Sequence, residues 1–511
     1  MLWGIPVIFV LLLWGWSRSA RQEHYLRIHL ETQPGSLNVT TATGRRENQI
    51  LRAIGEGLTR NDPETLEPLP GVAKSWDVSS NGLTYTFHLR DEARWSDGKL
   101  VTAQEFWDAW EQILNPKTKA AYVAYFYRIK NGEAYARGKI TDPTQIGMKV
   151  LDPHTFQVTL ERPTPYFLPL ITTLPAFYPI HKEDPNQYNG PFVLASWIPD
   201  KGILLLPNEH YWGRNEVKLP GVQFLFFNNF YVALQRYDTK GIDVLNDLPP
   251  DQISILKWRQ DFRANHDVIR TDYLTLNLHH APLDSTAFRR ALSAAIDRET
   301  LTNKILRRGD LPYGSFIPPK MPGFKTDQHG QKFNPTAAKI YLKAAGFGLD
   351  KTSPVLDIYC INATDRLIVV EAIQKMWKEN LGIESLIHPM EWKDFLQARK
   401  EGKVTIGWGA WVADYLEPTT FLELMESDHA QNYTGWSNTH YDALVKEGEH
   451  EPNRLLRAQK LEEAEGLLLD EAPIIPVLVK AQSALVRPYV KGYVSNLLDI
   501  HPLRDVYLSE H

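Results

Sequence analysis

Short alternating runs and longer helical runs follow one another along all 511 residues without a fixed repeat, and this interleaving restricts the fold more than any other feature. Leu83-Thr84-Tyr85-Thr86-Phe87-His88-Leu89 and Thr155-Phe156-Gln157-Val158-Thr159-Leu160 alternate at period two, the signature of half-buried strands. Thr102 is placed to cap a helix through Phe106 and Trp110, with Glu105 completing a capping box. Further helices are expected over 286–306, 366–380 and 452–469, and strands over 383–387 and 472–477. The lack of a repeat argues against solenoids and propellers. The lack of a strict strand-helix-strand rhythm leaves a mixed α/β fold with mixed sheets.

Composition narrows the function. At roughly 100–200 residues per domain the length allows two to four domains. The 56 Lys and Arg are balanced by 61 Asp and Glu, with no basic block, so nothing in the sequence offers nucleic acid a site. The single cysteine, Cys360, makes no intrachain disulfide or thiolate zinc cluster, and on an apolar strand it reads as a core residue. There is no GxSxG, HExxH, Walker or GxGxxG arrangement, so neither catalysis nor a cofactor is expected. His279-His280 on a strand would point to opposite faces, a poor chelate. Residues 1–16 are almost wholly apolar and the first charge is Arg18, as in a signal peptide, although no basic residue precedes the run. The chain is therefore expected to be exported, with residues 1–20 either removed or kept as an anchor. A mis-set start or a buried strand is the alternative. No cysteine near that end could carry a lipid.

Several segments, in order, resemble one family: the extracellular solute-binding proteins of oligopeptide and dipeptide ABC importers. They are Leu69-Pro70-Gly71-Val72-Ala73-Lys74-Ser75-Trp76, Arg94-Trp95-Ser96-Asp97-Gly98, Asn189-Gly190-Pro191-Phe192, Asn208-Glu209-His210-Tyr211-Trp212, Phe288-Arg289-Arg290-Ala291-Leu292, Trp411-Val412-Ala413-Asp414-Tyr415 and Ala472-Pro473-Ile474-Ile475-Pro476. Taken alone, the Trp95-Ser96-Asp97-Gly98 and Asn189-Gly190 segments read as turns. Together, the segments span nearly the whole chain after about residue 25. The resemblance implies a three-domain periplasmic-binding-protein fold of type II with a ligand cleft between two lobes. Its parts would be a discontinuous lobe I (21–43, 166–267 and 481–511), an inserted second domain (44–165) and lobe II (268–480). It implies a monomer that captures an oligopeptide, closes like a hinged trap and docks on a membrane permease. The same fold could serve another solute, such as a dipeptide, cell-wall peptide, nickel chelate or haem; the alternative from another class, ranked below these, is a secreted hydrolase of about this size.

The residues that carry chemistry centre on Asp414, a carboxylate in an otherwise apolar and aromatic run. Such a group bears a large desolvation cost unless a cation or hydrogen-bond donors compensate it. A salt bridge to a nearby Lys or Arg would serve. The resemblance instead implies that Asp414 receives a peptide α-ammonium. Gly409, Ala410 and Ala413 are small enough to let a peptide backbone pair as an added strand, which is blind to side-chain identity. Trp408, Trp411 and Trp392 are expected as pocket walls, or equally as core. The resemblance also places Tyr122 or Tyr125, Gln33 and Asn246 at the cleft. Trp408 stands where well-known peptide binders carry a carboxylate-binding arginine; in the order of the family, Arg366, Arg307 and Arg308 are the nearest candidates for the other end, with a solvated surface role as the equal alternative for each.

Overall fold

The computed structural model describes residues 24–265, 268–325, 329–348 and 354–510, and the expected segment 1–20 lies outside them. Three main sheets organise these residues. A seven-stranded sheet runs in the order Phe262–Asn265, Gln482–Val486, Val244–Leu245, Leu26–Leu30, Val222–Phe226, Gly202–Pro207, Phe192–Ile198. Its central strand Leu26–Leu30 is parallel to both neighbours, while Gly202–Pro207 is antiparallel to Val222–Phe226 and Phe192–Ile198 antiparallel to Gly202–Pro207. A six-stranded sheet is built from Leu311–Pro312, Ile474–Val479, Arg270–Leu276, Ile406–Val412, Leu356–Ile361 and Ser385–Met390, in that spatial order. A smaller antiparallel sheet pairs Ala73–Val78, Thr84–Leu89, Thr155–Thr159 and Met148–Asp152. Each main sheet carries its own apolar core.

Local signals hold well. Strands Thr84–Leu89 and Thr155–Thr159 pair with each other, burying Tyr85, Phe87, Phe156 and Val158 on one face. Helix Ala103–Leu114 has its Thr102–Glu105 capping box. Helix Thr364–Leu381 ends at Gly382, whose φ of 69° is the left-handed region that glycine tolerates. The wholly buried strand Ile474–Val479 tolerates Pro476 because the pairing slips opposite it, between Asp272 and Tyr273.

Three expectations are corrected. The helix expected over 286–306 is two helices, Thr286–Ala294 and Thr300–Leu306, because the Asp297 carboxylate accepts from Thr300 N at 2.9 Å and starts a new turn. His279 and His280 lie in a turn after strand Arg270–Leu276, where the His280 ring pairs with the Gly402 carbonyl at 3.2 Å. Core membership also differs from the expected breaks near 43 and 165. Helix Arg45–Ile54 buries Ile50, Leu51 and Ile54 against the seven-stranded sheet. Helix Phe167–Thr173 packs into the small antiparallel sheet, with the Phe167 ring 4.9 Å from Tyr85.

Among the described residues, two groups of contacts tie distant segments together. Asn189 accepts from Glu56 N at 3.0 Å and donates to Glu56 O at 2.8 Å, and a Cβ on Gly190 would lie 2.5 Å from Gly55 N. The Asn-Gly pair is therefore a close crossing of two chain segments. Farther on, Arg128 reaches Glu423 and Glu449, each at 3.2 Å, and the Tyr166 hydroxyl donates to Glu449 at 2.5 Å. This joins the small sheet's unit to the helices after residue 418. One guanidinium facing two carboxylates leaves a charge over, and burial first, then Glu449, pushes the Glu423 carboxyl up to about 7.

Gly190→Ala should cost about 1–3 kcal/mol, because backbone rather than a flexible side chain would have to move; urea denaturation with unchanged slope measures it. Between its ordinary pKa of 4.5 and about 7, Glu423 holds a proton in the folded chain that the unfolded chain releases. That contribution is full below 4.5 and is lost as pH rises through about 7. Relative to wild type, Glu423→Gln should therefore lose part of the fall in thermal midpoint between these pH values. A difference that is constant with pH would contradict it.

Candidate functional site

Strand Ile406–Val412 positions the site. It pairs along its full length with Arg270–Leu276, from Ile406↔Leu276 to Val412↔Arg270. On its other side it meets Leu356–Ile361 only through Ile406 and Gly407. Among the described residues, 408–412 therefore present an unpaired backbone edge beside the N-terminus of helix Thr364–Leu381.

Two residues past this strand, Asp414 sits between buried Ala413 and buried Tyr415. Its carboxylate accepts a short hydrogen bond from the Tyr125 hydroxyl, contributed by the small sheet's unit. Burial pushes its carboxyl above the usual range, against the Tyr125 hydrogen bond and the charge of Arg52, which pull it down. Arg52 donates to the Thr173 carbonyl at 2.9 Å and acts on Asp414 only through space. No described Lys or Arg forms an ion pair with Asp414, so the salt-bridge alternative finds no partner among the described residues.

Asp414 forms a wall between two cavities. One, of about 280 Å³, lies between the two large sheets and is lined by Arg45, Asn48, Arg52, Asn246, Val412, Ala413, Tyr493 and His501. The other, of about 1000 Å³, is lined by Tyr125, Tyr127, Arg128, Trp411, Glu423 and Glu449. Tyr122 borders both, its hydroxyl donating to the Thr43 carbonyl at 3.1 Å.

The structure thus brings together Asp414, Ala413, Trp411, Tyr122, Tyr125 and Asn246, and leaves other expected residues apart. Trp408 is 2% exposed in the core of the six-stranded sheet. Three positions separate it from Trp411, and an odd spacing on a strand sends two side chains to opposite faces. Gly409 is buried because a Cβ there would lie 2.9 Å from the Tyr273 ring, so its smallness serves packing within the sheet. Trp392 is 54% exposed at the start of helix Trp392–Lys400 and lines neither cavity. Gln33 is exposed and bonds Asp200 at 3.3 Å, also away from both.

The three arginines differ in fate. Arg307 is exposed and donates to the Lys304 carbonyl at 2.7 Å. Arg308 is buried against Asp310. Arg366 binds Asp365 at 3.0 Å and Asp272 at 3.2 Å, inside a cluster that also holds Arg270, Arg308, Asp310 and Lys480. Four cations face three carboxylates there, and burial, then Arg270 and Arg366, push the Lys480 ammonium down.

Sequence reasoning missed Arg45, Asn48 and Arg52. Their spacing of three and four is a polar stripe on one helix face, a legible signal. The partners of that stripe were not legible, since Arg45 pairs at 2.8 Å with Asp499 near the other end of the chain.

Comparison with known proteins agrees with this geometry. Residues 67–433 match the model of bacterial extracellular solute-binding proteins, family 5 Middle. The chain is 33% identical over 503 residues to the periplasmic murein peptide-binding protein MppA of Escherichia coli K12, covering 94% of this chain and 93% of that one. It is 32% identical to the periplasmic oligopeptide-binding protein OppA of Salmonella typhimurium, covering 93% and 91%. Among solved structures, the Escherichia coli murein tripeptide binding protein MppA superposes with a TM-score of 0.82 at 31% identity, over 96% of this chain and 99% of that one. Haemophilus influenzae OppA in complex with RPPGFSPFR gives 0.81 at 27% identity, over 96% and 99%. A match to the family model over most of the chain, together with similarity to these relatives and structures along nearly its whole length, places this protein in family 5 of the bacterial extracellular solute-binding proteins.

Proposed function

We propose that this chain is the peptide receptor of an ABC importer, exported from the cytoplasm and closing its two lobes around a peptide that it passes to a membrane permease. The observation that carries the reading is Asp414: a carboxylate withdrawn from water at the wall of the interlobe cavity, hydrogen-bonded to one phenol and paired with no cation among the described residues. A peptide α-ammonium supplies the missing charge and donors together. A ligand without a free amine leaves the carboxylate uncompensated, so the same group also selects. The names of relatives support a peptide ligand, since they include oligopeptide-, dipeptide- and murein peptide-binding proteins. A binding role is supported by the family, whose members are solute-binding proteins; Cys360, a buried core thiol pushed up to about 11, is not placed as a nucleophile.

In this reading lobe I is the unit of the seven-stranded sheet, lobe II that of the six-stranded sheet, and the small antiparallel sheet is the inserted domain. The chain crosses between lobes after strand Phe262–Asn265 and again between Ile474–Val479 and Gln482–Val486. Ligand backbone would pair with the open edge at 408–412, its amine at Asp414 and its carboxylate toward the cluster of Arg366 and Lys480. Asp272 of that cluster stands opposite Ala410, four residues before Asp414, or about 14 Å at 3.4 Å per residue. An extended ligand of about three to four residues covers that distance.

Calorimetry with a tripeptide pool tests the amine anchor. N-acetylation of the ligand, or Asp414→Asn, should weaken binding by roughly 10- to 100-fold, about 1.5–3 kcal/mol. Affinity should climb from acid pH as the Asp414 carboxyl ionises and fall above about 8 as the ligand amine loses its proton. Equal affinity for free and acetylated peptides would defeat the proposal. At the other end, amidating the carboxylate should cost roughly tenfold. Lys480→Met removes the surplus charge, so it should bring acid and amide forms within about twofold of each other.

A further inference from the structure

Lobe I carries an exposed apolar face that ligand capture does not use. Helices Phe230–Asp238 and Pro250–Leu256 pack on the edge of the seven-stranded sheet around Tyr237, Leu245, Ile253 and Leu256. Their outer side is unusual. Trp258 is 81% exposed, Ile255 65% and Tyr231 60%. Asp251 and Ile255 lie one turn apart on helix Pro250–Leu256, Trp258 follows two residues after its end, and the Tyr231 hydroxyl donates to Asp251 at 3.4 Å, so these exposed side chains belong to neighbouring segments of one module. One bare apolar side chain would need no explanation, but several large ones on adjoining segments of one module are the pattern of an interaction surface.

The chemistry around the patch selects the partner. Lys257 holds its ammonium 5.2 Å from the Trp258 ring. Arg236 on the first helix, Lys240 just after it and Arg263 on strand Phe262–Asn265 are exposed; of the acidic groups, Asp238 is taken by Arg259 at 2.8 Å and Asp251, on the face itself, accepts from Gln252 at 2.8 Å. An indole and an isoleucine ringed by long basic side chains match the interface of an anionic bilayer, where indole settles among headgroups and ammonium groups reach phosphates. The route of the chain points the same way. His24 bonds Asp243 at 3.4 Å, and Asp243 lies between Ile242 and Val244 at the root of this module. Seven residues, 17–23, separate it from the apolar run 1–16. Fully extended they span about 25 Å, so wherever that run is retained in a membrane, His24 and the root of this module are held within about that distance of it.

We propose that the face of Tyr231, Ile255 and Trp258 is a membrane-contact surface that lays lobe I on an anionic bilayer. The test uses the full chain bound to vesicles of phosphatidylethanolamine and phosphatidylglycerol, with a nitroxide on Trp258→Cys. Cys360 is fully buried and does not compete for label. A second label on Leu455→Cys, 75% exposed on helix Arg454–Glu471 of the other lobe, is the control. Collision of the label at 258 with an aqueous nickel chelate should fall several-fold on these vesicles, with oxygen access rising, while the label at 455 is unchanged. Phosphatidylcholine vesicles should give less protection. Unchanged access at 258 on the anionic vesicles overturns the proposal. So does protection that arises without vesicles, which would mean self-association, or only with a reconstituted permease, which would mean a protein partner.

Discussion

The site depends on keeping one carboxylate out of water without giving it a full set of partners. Asp414 comes from the six-stranded unit, the Tyr125 hydroxyl that binds it from the small sheet's unit, and Arg52, whose charge reaches it through space, from a helix on the seven-stranded sheet. A single phenol cannot replace the hydration of an ionised carboxylate. The free chain therefore carries a raised carboxyl at a place where three parts of the fold meet. Such a group is tolerable only if something else compensates it, and the adjoining cavity is where that partner would stand. In the proposed function, burial is what would let this carboxylate discriminate between ligands with and without a cation.

The features legible in the sequence were local ones. Period-two strands, the Thr102–Glu105 capping box and the glycine stop at 382 each rest on residues a few positions apart. Asp414 was legible for a related reason: a charged residue inside Trp411-Val412-Ala413-Asp414-Tyr415 is conspicuous without any partner being known. Trp408 shows where local reading fails. Its type suits a pocket wall, but the strand's alternation sends it into the core while Trp411 reaches a cavity. Arg366 fails differently, because the carboxylates that hold it, Asp272 and Asp365, come from two separate elements. Helix Arg45–Ile54 looked like the start of an inserted unit and belongs to the core of the seven-stranded sheet, since its apolar face meets the layer of Leu26 and Ile28 rather than the small antiparallel sheet.

Charge clusters concentrate where the chain passes between the large sheets. Lys480 and Ala481 lie between strands Ile474–Val479 and Gln482–Val486, and Arg270 begins the strand reached by the other crossing. The two crossings are bound to each other and to the segment that carries Asp310: Lys480 N donates to the Arg270 carbonyl at 3.3 Å, and Ala481 N to the Asp310 carboxylate at 3.1 Å. Paired crossings of this kind restrict relative motion of the lobes to rotation about a short common axis, the geometry of hinge closure. Placing the surplus cation here rather than on an outer helix puts it at the floor of the gap that closure would shut.

The two charge imbalances have opposite signs, and this bears on what kind of molecule the cleft suits. Asp414 is one carboxylate without a paired cation among the described residues, and the cluster of Arg270, Arg308, Arg366 and Lys480 holds one cation more than Asp272, Asp310 and Asp365 balance. A simple amine would answer the first and worsen the second by adding positive charge. A simple acid would do the reverse. A zwitterion with its charges separated by the length of a short extended chain answers both and brings no net charge into the closed space. That match asks nothing of side chains, so in the proposed complex the ends of the ligand would set its class and length, while its sequence would be left to whatever the flanking cavities admit.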